Sequence, residues 1–199
     1  VQAYNNLGVL YKDDKKYKNA IPMFMKAKEL QPDHQNSYYN LALIKKEQGL
    51  DEEAVELLLK VLDINPEHSE ANYLNFLIII RLGFFREGWK YNKFRWKVSP
   101  GKDVVWPFED KPLWSGEEGK RVALWREQGI GDDIIFLSLV SEVQEMSSSL
   151  SVYVDPRLHS LCRRAMPEIN FVKDIEELQE VDSDYHLPLG SVPGLIRND

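Results

Sequence analysis

The sequence predicts an α-helical solenoid of about three helical hairpins followed by a partial α/β, Rossmann-like domain. The solenoid is predicted by Pro32, Pro66 and Pro100, which recur at a 34-residue spacing and each follow a helical pattern. The α/β domain is predicted because short β-rich segments alternate with helical ones from Arg121 onward. With 199 residues, the chain is long enough for two domains with separate cores.

The two regular repeats, residues 1–34 and 35–68, carry small or apolar residues at matching positions, with Lys45 as the one departure. Small residues such as Gly8 and Ala42 let the two helices of a hairpin approach closely, and larger residues fill the groove between them. This pattern resembles the tetratricopeptide family. The family's consensus positions hold Tyr4, Leu7, Gly8, Tyr11, Ala20, Phe24 and Ala27 in the first repeat, and Tyr38, Leu41, Ala42, Lys45, Ala54, Leu58 and Val61 in the second.

The third repeat, residues 69–100, is predicted to be degenerate. Gly88 stands where the regular repeats have alanine, Asn92 and Arg95 replace apolar residues, and Asn75 replaces leucine. Terminal repeats are atypical because one of their faces meets something other than another repeat. We expect that this face meets the second domain.

The tetratricopeptide resemblance implies that the first helix of each hairpin lines a concave groove for a protein or peptide. Asn6 and Asn40 share one repeat position, and an amide both donates to and accepts from an extended peptide backbone. The pair resembles the asparagine ladder of the tetratricopeptide arm of O-linked N-acetylglucosamine transferases, although Leu74 interrupts it in the third repeat. The alternative is that both are solvated helix residues. The predicted groove residues are Asn5, Asn6, Lys12, Tyr39, Asn40, Leu43 and Lys46.

Residues 101–120 are predicted to form an irregular junction rich in tryptophan and proline. All five tryptophans of the chain lie in one 37-residue stretch that spans this junction. Because each tryptophan buries a large apolar area, we expect a packed interdomain core there. A platform for stacking carbohydrate rings is the alternative.

The second domain, residues 121–199, is predicted to be a parallel sheet flanked by helices. Strands are predicted over residues 122–125 and 150–154, and helices over residues 132–146 and 156–165. In folds of this class, ligands bind at the carboxyl ends of the strands.

The loop after the first predicted strand contains Gln128, Gly129 and Gly131, and we predict that it binds an anion or an acceptor substrate. Glycine allows a tight turn, and the N-terminus of the following helix offers free N–H groups. A plain strand–helix turn is the alternative. Ile134 stands where the dinucleotide fingerprint has its third glycine, which argues against a nicotinamide cofactor.

Five blocks, taken together, resemble bacterial tetratricopeptide proteins fused to a glycosyltransferase-like domain. That domain is similar to the heptosyltransferase family, of GT-B type, which implies two Rossmann-like halves with the active site between them. The resemblance also implies that Asp132 is the general base on an acceptor hydroxyl. Capping of the following helix is the alternative role for Asp132. The blocks are residues 83–89, 95–96, 112–116, 127–132 and 184–193.

The same resemblance implies that the sequence stops within the glycosyltransferase-like domain. The missing half would carry most of the nucleotide-sugar site, so we expect this chain to hold no cofactor and to be inactive alone, with a nucleotide sugar as donor for the full-length protein. The rival interpretation is a non-catalytic interaction scaffold whose α/β part is a structural cap.

Composition narrows the functional classes further. Residues 1–99 carry a net charge of about +2 and residues 100–199 about −9, so the acidic second half argues against nucleic-acid binding. The single cysteine, Cys162, and the lack of a signal-peptide pattern favour the cytoplasm. No membrane span and no metal site are predicted. The expected partners are a protein or peptide in the groove and further copies of the chain, joined through the repeats.

Overall fold

The computed structural model describes residues 1–98 and 106–197, and the chain divides into two compact units, Val1–Gly101 and Lys102–Asp199. Pro100, the last of the three equally spaced prolines, lies outside the described residues, as do residues 101–105 of the predicted junction.

The first unit consists of helical hairpins, which confirms the predicted helical solenoid. Two regular hairpins are followed by a third whose second helix is broken into short pieces around a 3₁₀ turn, Asn92–Phe94. The helices are α1 (Gln2–Asp13), α2 (Tyr17–Leu30), α3 (Gln35–Glu47), α4 (Asp51–Ile64), α5 (Ser69–Arg81), α6 (Phe85–Trp89) and α7 (Arg95–Val98).

Small residues bring the helices of each regular hairpin together. Ala20, Ala42 and Ala54 are completely buried. A side chain at Gly8 would place its Cβ only 2.6 Å from the ring of Phe24, so that position requires glycine as long as the phenylalanine is opposite. The consensus residues therefore act through their size, as predicted.

The third hairpin buries polar side chains where the second hairpin buries apolar ones. Asn75, Asn92 and Arg95 are at most 8% exposed. At Gly88, an added Cβ would lie 2.7 Å from the end of the Ile80 side chain, so the glycine allows α6 to approach α5 closely. These are the positions at which the sequence departs from the repeat pattern.

The second unit contains a small parallel sheet with helices, an arrangement compatible with a partial α/β domain. Its strands pair in the order β3-β2-β1-β4, and every pair is parallel. The elements are β1 (Arg121–Trp125), α8 (Ile130–Leu137), α9 (Val140–Met146), β2 (Ser149–Tyr153), α10 (Pro156–Ala165), β3 (Asn170–Val172), α11 (Ile175–Glu180), β4 (Tyr185–Pro188) and α12 (Pro193–Ile196), with a 3₁₀ turn, Leu189–Ser191, between β4 and α12.

The predicted single helix over residues 132–146 is wrong, because two helices occupy this stretch. Helix α8 ends at Leu137, and α9 begins at Val140. Between them, the Ser138 hydroxyl donates a 2.6 Å hydrogen bond to the Ile135 carbonyl. Such a local side-chain bond competes with the next backbone turn and explains the break.

The α/β unit has a large apolar cluster that includes Val122, Leu124 and Val152 from the sheet and Val140 and Val143 from α9. A second group of aromatic residues surrounds His186, which is 2% exposed. It consists of Trp106, Phe108 and Trp125, whose rings lie 5.2–6.2 Å from the imidazole.

The tryptophans are distributed over both units. Trp89 lies against Phe76 of the helical unit, with the ring centres 5.4 Å apart. Trp114 and Trp125 are buried in the α/β unit. The interdomain core that we expected from their clustering stays a prediction.

Candidate functional site

The first helices of the hairpins carry the predicted groove residues. Asn5 and Asn40 come together, because the Asn40 side-chain nitrogen lies 3.5 Å from the Asn5 side-chain oxygen. The same nitrogen donates a 2.8 Å bond to the Asn36 carbonyl. Both asparagines are at most 8% exposed, so their contacts join α1 to α3.

Asn6 has different surroundings although it shares a repeat position with Asn40. It is exposed, and its side-chain oxygen accepts a 2.8 Å hydrogen bond from Gln2 on the same helix. Residues at one repeat position thus have unlike environments in the first and second repeats, because α1 lies in front of Asn40 and no described helix lies in front of Asn6.

Tyr39, Leu43 and Lys46 are half-buried on α3. The Tyr39 ring lies 5.3 Å from the ring of His68, and burial, followed by the charge of Glu70, raises the pKa of Tyr39. Lys46 forms an ion pair with its neighbour Glu47 at 3.3 Å. The tyrosine is therefore neutral at physiological pH, and the lysine charge is partly compensated.

Lys12 occupies the corresponding position on α1 and has a similar environment. It forms an ion pair with Asp13 at 3.4 Å, and its side chain is 20% exposed. On α5, the counterparts of Tyr39 and Leu43 are Tyr73 and Leu77, which we did not include among the predicted groove residues. Leu77 is 46% exposed. The regular spacing of the repeat would have identified both.

In the α/β unit, the predicted loop lies at the carboxyl end of β1 and leads into α8. The Asp132 carboxylate accepts a 3.1 Å hydrogen bond from the N–H of Gly129, the residue that caps the helix. This is the capping contact that we considered as one alternative. The Asp132 side chain is half-buried. A carboxylate in the first turn also interacts favourably with the helix dipole.

A network of charged residues that the sequence analysis missed holds this loop in place. Arg126 donates a 2.8 Å bond to the carboxylate of Asp133, which is 1% exposed. The same carboxylate accepts a 3.1 Å bond from the backbone N–H of Asp155, at the carboxyl end of β2. Arg126 also lies 3.3 Å from the Asp155 carboxylate. The network thus ties the ends of two neighbouring strands together.

The pKa values of Asp133 and Asp155 are shifted in opposite directions, the first by burial and the second by pairing. Burial raises the pKa of Asp133, and this effect exceeds the opposing effect of Arg126. Hydrogen bonds from the side chain and backbone of Arg157 hold the pKa of Asp155 well below its usual range. Asp155 is therefore the firmly ionised member of the network.

The turn after β4 packs against the loop after β1. A Cβ at Gly190 would lie 2.5 Å from a carboxylate oxygen of Glu127 and 2.7 Å from the amide nitrogen of Gln128. Gln128 and Gly190 thus meet at the carboxyl ends of β1 and β4. Gly131, by contrast, has open space where its Cβ would be.

Comparison with known proteins identifies the class of the helical unit. Residues 1–67 match the tetratricopeptide repeat family, so this unit is a tetratricopeptide solenoid. Protein FlbA of Caulobacter vibrioides is 32% identical over 98 residues, which is 46% of this chain and 16% of FlbA. The chain therefore spans a small part of the length of that relative.

Several solved structures resemble about half of this chain. A MamA structure has a TM-score of 0.45 and 26% identity, and the match covers 48% of this chain and 56% of MamA. YrrB, a tetratricopeptide protein with an unusual peptide-binding site, has a TM-score of 0.46 and 19% identity, with 48% of this chain and 50% of YrrB covered. The TPR2B domain of yeast Sti1, solved with pHsp70, has a TM-score of 0.44 and 15% identity, over 47% of this chain and 74% of that one.

Two further observations concern residues 1–98 and 106–197. No helix in these ranges is both long and apolar enough to cross a membrane. In the same ranges, no three His, Cys, Asp or Glu side chains are grouped so that they could hold a metal ion.

Proposed function

We propose that the helical unit is a protein- and peptide-binding module whose binding surface lies on α1, α3 and α5. The observation that carries this proposal is a column of apolar side chains, Val9, Leu43 and Leu77, which share one position in successive repeats. Val9 and Leu43 are half-buried, and Leu77 is 46% exposed. Solenoids present such repeated surfaces to extended partners.

Tyrosines and lysines flank the apolar column and suggest the chemistry of the ligand. Tyr39 and Tyr73 lie on one side, and Lys12 and Lys46 lie on the other. Because each lysine is already paired with an adjacent carboxylate, we expect apolar side chains of the peptide to supply most of the affinity. Asn6 is the groove amide exposed to a peptide backbone, while Asn40 positions α3 against α1.

A comparison of two leucine variants tests this proposal. Peptides enriched from a displayed random library on the whole chain would be titrated against the Leu77→Asp variant by fluorescence anisotropy. Burial of one leucine contributes about 1.5–3 kcal/mol, so we expect affinity to fall at least about tenfold. The control is Leu59→Asp, because Leu59 lies on α4 and is 43% exposed. Equal binding by wild type and Leu77→Asp would rule out this surface.

We also propose that the α/β unit is the acceptor-side half of a glycosyltransferase-like domain, with Asp132 as general base. The strand order supports this, because β3-β2-β1-β4 is the order of the first four strands of the doubly wound fold. Such folds bind ligands where the order reverses, which here is the edge at which Gln128 and Gly190 meet. Asp132 is half-buried in the same loop and would accept the proton of an acceptor hydroxyl. The hydroxyl oxygen would then form the bond to the sugar as the bond between the sugar and the nucleotide breaks.

Release of nucleotide from UDP-, GDP- and ADP-sugars by the native gene product tests the second proposal. Asp132→Asn keeps a capping side chain but removes the base, so we expect turnover to fall by about 10²–10⁴-fold. Asp174→Asn is the matched control, because Asp174 caps α11 through a 2.8 Å bond from the Glu177 N–H. Absence of turnover in all three proteins would instead support the structural cap.

A further inference from the structure

The segment that precedes Trp114 lies along the outer edge of β4. We call residues 106–113 the strap, and it includes a parallel β-bridge between Leu113 and His186. The His186 N–H donates a 3.2 Å bond to the Pro112 carbonyl, and the His186 carbonyl accepts a 2.9 Å bond from the Trp114 N–H. Within residues 106–113, all of which the structure describes, no backbone hydrogen bond joins one strap residue to another. The strap is therefore held by contacts from outside.

Side chains of the strap also converge on His186. The Phe108 ring is 7% exposed and lies 5.2 Å from the imidazole, and the Trp106 ring lies 6.0 Å from it. The imidazole in turn forms a hydrogen bond with the Lys111 backbone. One histidine thus contacts the strap through its backbone and through its ring.

The contacts of the strap lie outside the apolar core. The apolar cluster of the α/β unit includes Trp114 but no residue of the strap. Two bonds between polar groups hold the strap beside the imidazole. The Gln179 amide donates a 2.5 Å bond to the Pro107 carbonyl, and the Lys111 ammonium donates a 2.8 Å bond to the Ser183 hydroxyl. Water can replace such bonds at modest cost, so the strap can leave the sheet without opening the core.

The neutral form of His186 is the one that fits the docked strap. Its Nδ1 accepts a 3.0 Å bond from the indole N–H of Trp125, so the other ring nitrogen carries the proton. A second proton, on Nδ1, would break the bond to Trp125 and leave a cation at a site that is 2% exposed. Release of the strap would bring water to this cation while β1 and β4 stay paired.

The charged groups around His186 do not favour its protonation. Burial lowers the pKa of His186 and outweighs the hydrogen bond with the Lys111 backbone, and the Lys111 charge adds to the lowering. The strap carboxylates, Glu109–Asp110, are exposed. Asp184, just ahead of β4, is paired at 2.6 Å with Arg121 at the start of β1.

We propose that the strap is a pH-dependent switch, which is docked on the edge of β4 while His186 is neutral and is released when His186 is protonated. The free energy of docking is fully present above the free-histidine pKa of about 6.5 and is lost as pH falls through the lower pKa of docked His186. Release would add residues 106–113 to the connection between α7 and β1. That segment reaches roughly 25 Å when extended, so the switch sets the length of the link between the two units.

Amide exchange of the whole chain, followed by NMR at pH 7.5 and 5.0 and corrected for the intrinsic pH dependence, tests the switch. The reporter is the Trp114 N–H, which bonds to His186. We expect it to exchange about 3–30-fold faster at pH 5.0, because an undocked histidine titrates near 6.5. Low urea should hardly affect this exchange, whereas it should accelerate exchange at Val152 of the interior strand β2, which requires unfolding of the sheet. In His186→Gln, the effect of pH on Trp114 should disappear.

A change in the strap itself tests the same linkage from the other side. Phe108→Ala removes the ring that covers His186, so we expect fast exchange at Trp114 already at pH 7.5. The midpoint of the His186 titration, followed by NMR of the imidazole Cε1–H, should rise toward about 6.5. Leu113→Ala is the matched control, because this strap side chain is 49% exposed, and it should change neither measurement.

Four results would overturn the proposal. Exchange at Trp114 with the same urea dependence as Val152 would mean that the whole sheet opens. A pH effect that persists in His186→Gln would assign it to another group. An unchanged His186 titration in Phe108→Ala would show that the strap does not control the imidazole. Loss of protection at Val152 in Phe108→Ala would show that the strap belongs to the core.

Discussion

At the scale of single residues, the surroundings of a polar side chain decide which of its protonation states the fold accepts. His186 lies among aromatic rings, and its Nδ1 accepts a 3.0 Å hydrogen bond from the indole N–H of Trp125. The proton of the neutral imidazole therefore sits on Nε2. Protonation at Nδ1 would break the bond to Trp125 and place a charge in an apolar site.

We therefore expect the stability of the α/β unit to depend on pH through the protonation state of His186. Burial lowers the pKa of His186 below its unfolded value of about 6.5, and this effect exceeds the opposing effect of a hydrogen bond with the Lys111 backbone. The contribution of neutral His186 to the free energy of unfolding is fully present above the unfolded pKa and is lost as pH falls through the folded pKa. Urea unfolding followed by tryptophan fluorescence at pH 7.5 and 5.0 measures the loss. We expect His186→Gln to reduce the difference between the two pH values, and an unchanged difference would contradict this account.

The pair Gly8 and Phe24 illustrates how residue volumes compensate. In the second repeat the same two positions hold Ala42 and Leu58, so a larger residue on the first helix is matched by a smaller one on the second. In Gly8→Ala, the new methyl would lie 2.6 Å from the Phe24 ring. Overpacking of about 1–3 kcal/mol opposes a gain in helix propensity of about 1 kcal/mol. We therefore expect a net loss of about 1 kcal/mol in the free energy of unfolding.

A double-mutant cycle by urea denaturation checks this compensation. Phe24→Leu alone leaves a void, whereas Gly8→Ala combined with Phe24→Leu recreates the pair of the second repeat. The double variant is expected to be more stable than the sum of the single changes predicts. Strict additivity of the two changes would show that the close contact causes no strain.

At the scale of secondary-structure elements, the periodicity of the sequence predicts helices that recur in every repeat. It does not predict helix breaks that depend on a single local contact. The hairpins were predictable because one packing rule recurs in each repeat. The break between α8 and α9 was not, because it depends on one hydroxyl contact of Ser138. In the third hairpin the sequence pattern located the altered positions correctly. It did not show that Asn75 would be buried with neither its side-chain nitrogen nor its side-chain oxygen bonded to any of the described residues.

Restoring leucine at this position is expected to stabilise the third hairpin. Asn75 is 0% exposed, and Leu7 and Leu41 occupy its position in the regular repeats. Because the Asn75 amide has no hydrogen-bond partner within residues 1–98 and 106–197, its removal in Asn75→Leu should raise the free energy of unfolding by about 1–3 kcal/mol, measured by urea denaturation. Asn72→Leu is the control and should be destabilising, because its amide donates 2.8 and 2.9 Å bonds to the Pro66 and His68 carbonyls. A loss of stability in Asn75→Leu would show that leucine overfills the site.

At the scale of the whole molecule, the two units differ in how well their functional surfaces could be predicted. The apolar column of the helical unit follows from the repeat alone, since Val9, Leu43 and Leu77 share one position. The network around Asp133 joins residues from the ends of two strands, and no spacing in the sequence indicates which carboxylate meets Arg126. Nor did the sequence indicate that Gly190 would lie against Gln128, from which it is widely separated along the chain. Such contacts depend on strand order, which the alternation of strands and helices leaves open.

Each unit has an apolar cluster of its own, so we expect damage to one core to lower the stability of that unit first. Arg126→Met would leave Asp133 buried without its ion-pair partner, at a cost of about 3–5 kcal/mol. We expect the part of the tryptophan fluorescence transition that comes from Trp114 and Trp125 to move to lower urea, while most of the far-UV circular dichroism of the hairpins persists. Arg157→Met is the control, because the Arg157 side chain is 71% exposed and its loss should leave the transition close to that of the wild type. Combining Arg126→Met with Asp133→Asn should recover much of the lost stability, because asparagine still accepts the Asp155 N–H without a buried charge. If the double variant is no more stable than Arg126→Met alone, the buried charge is not the cause of the loss.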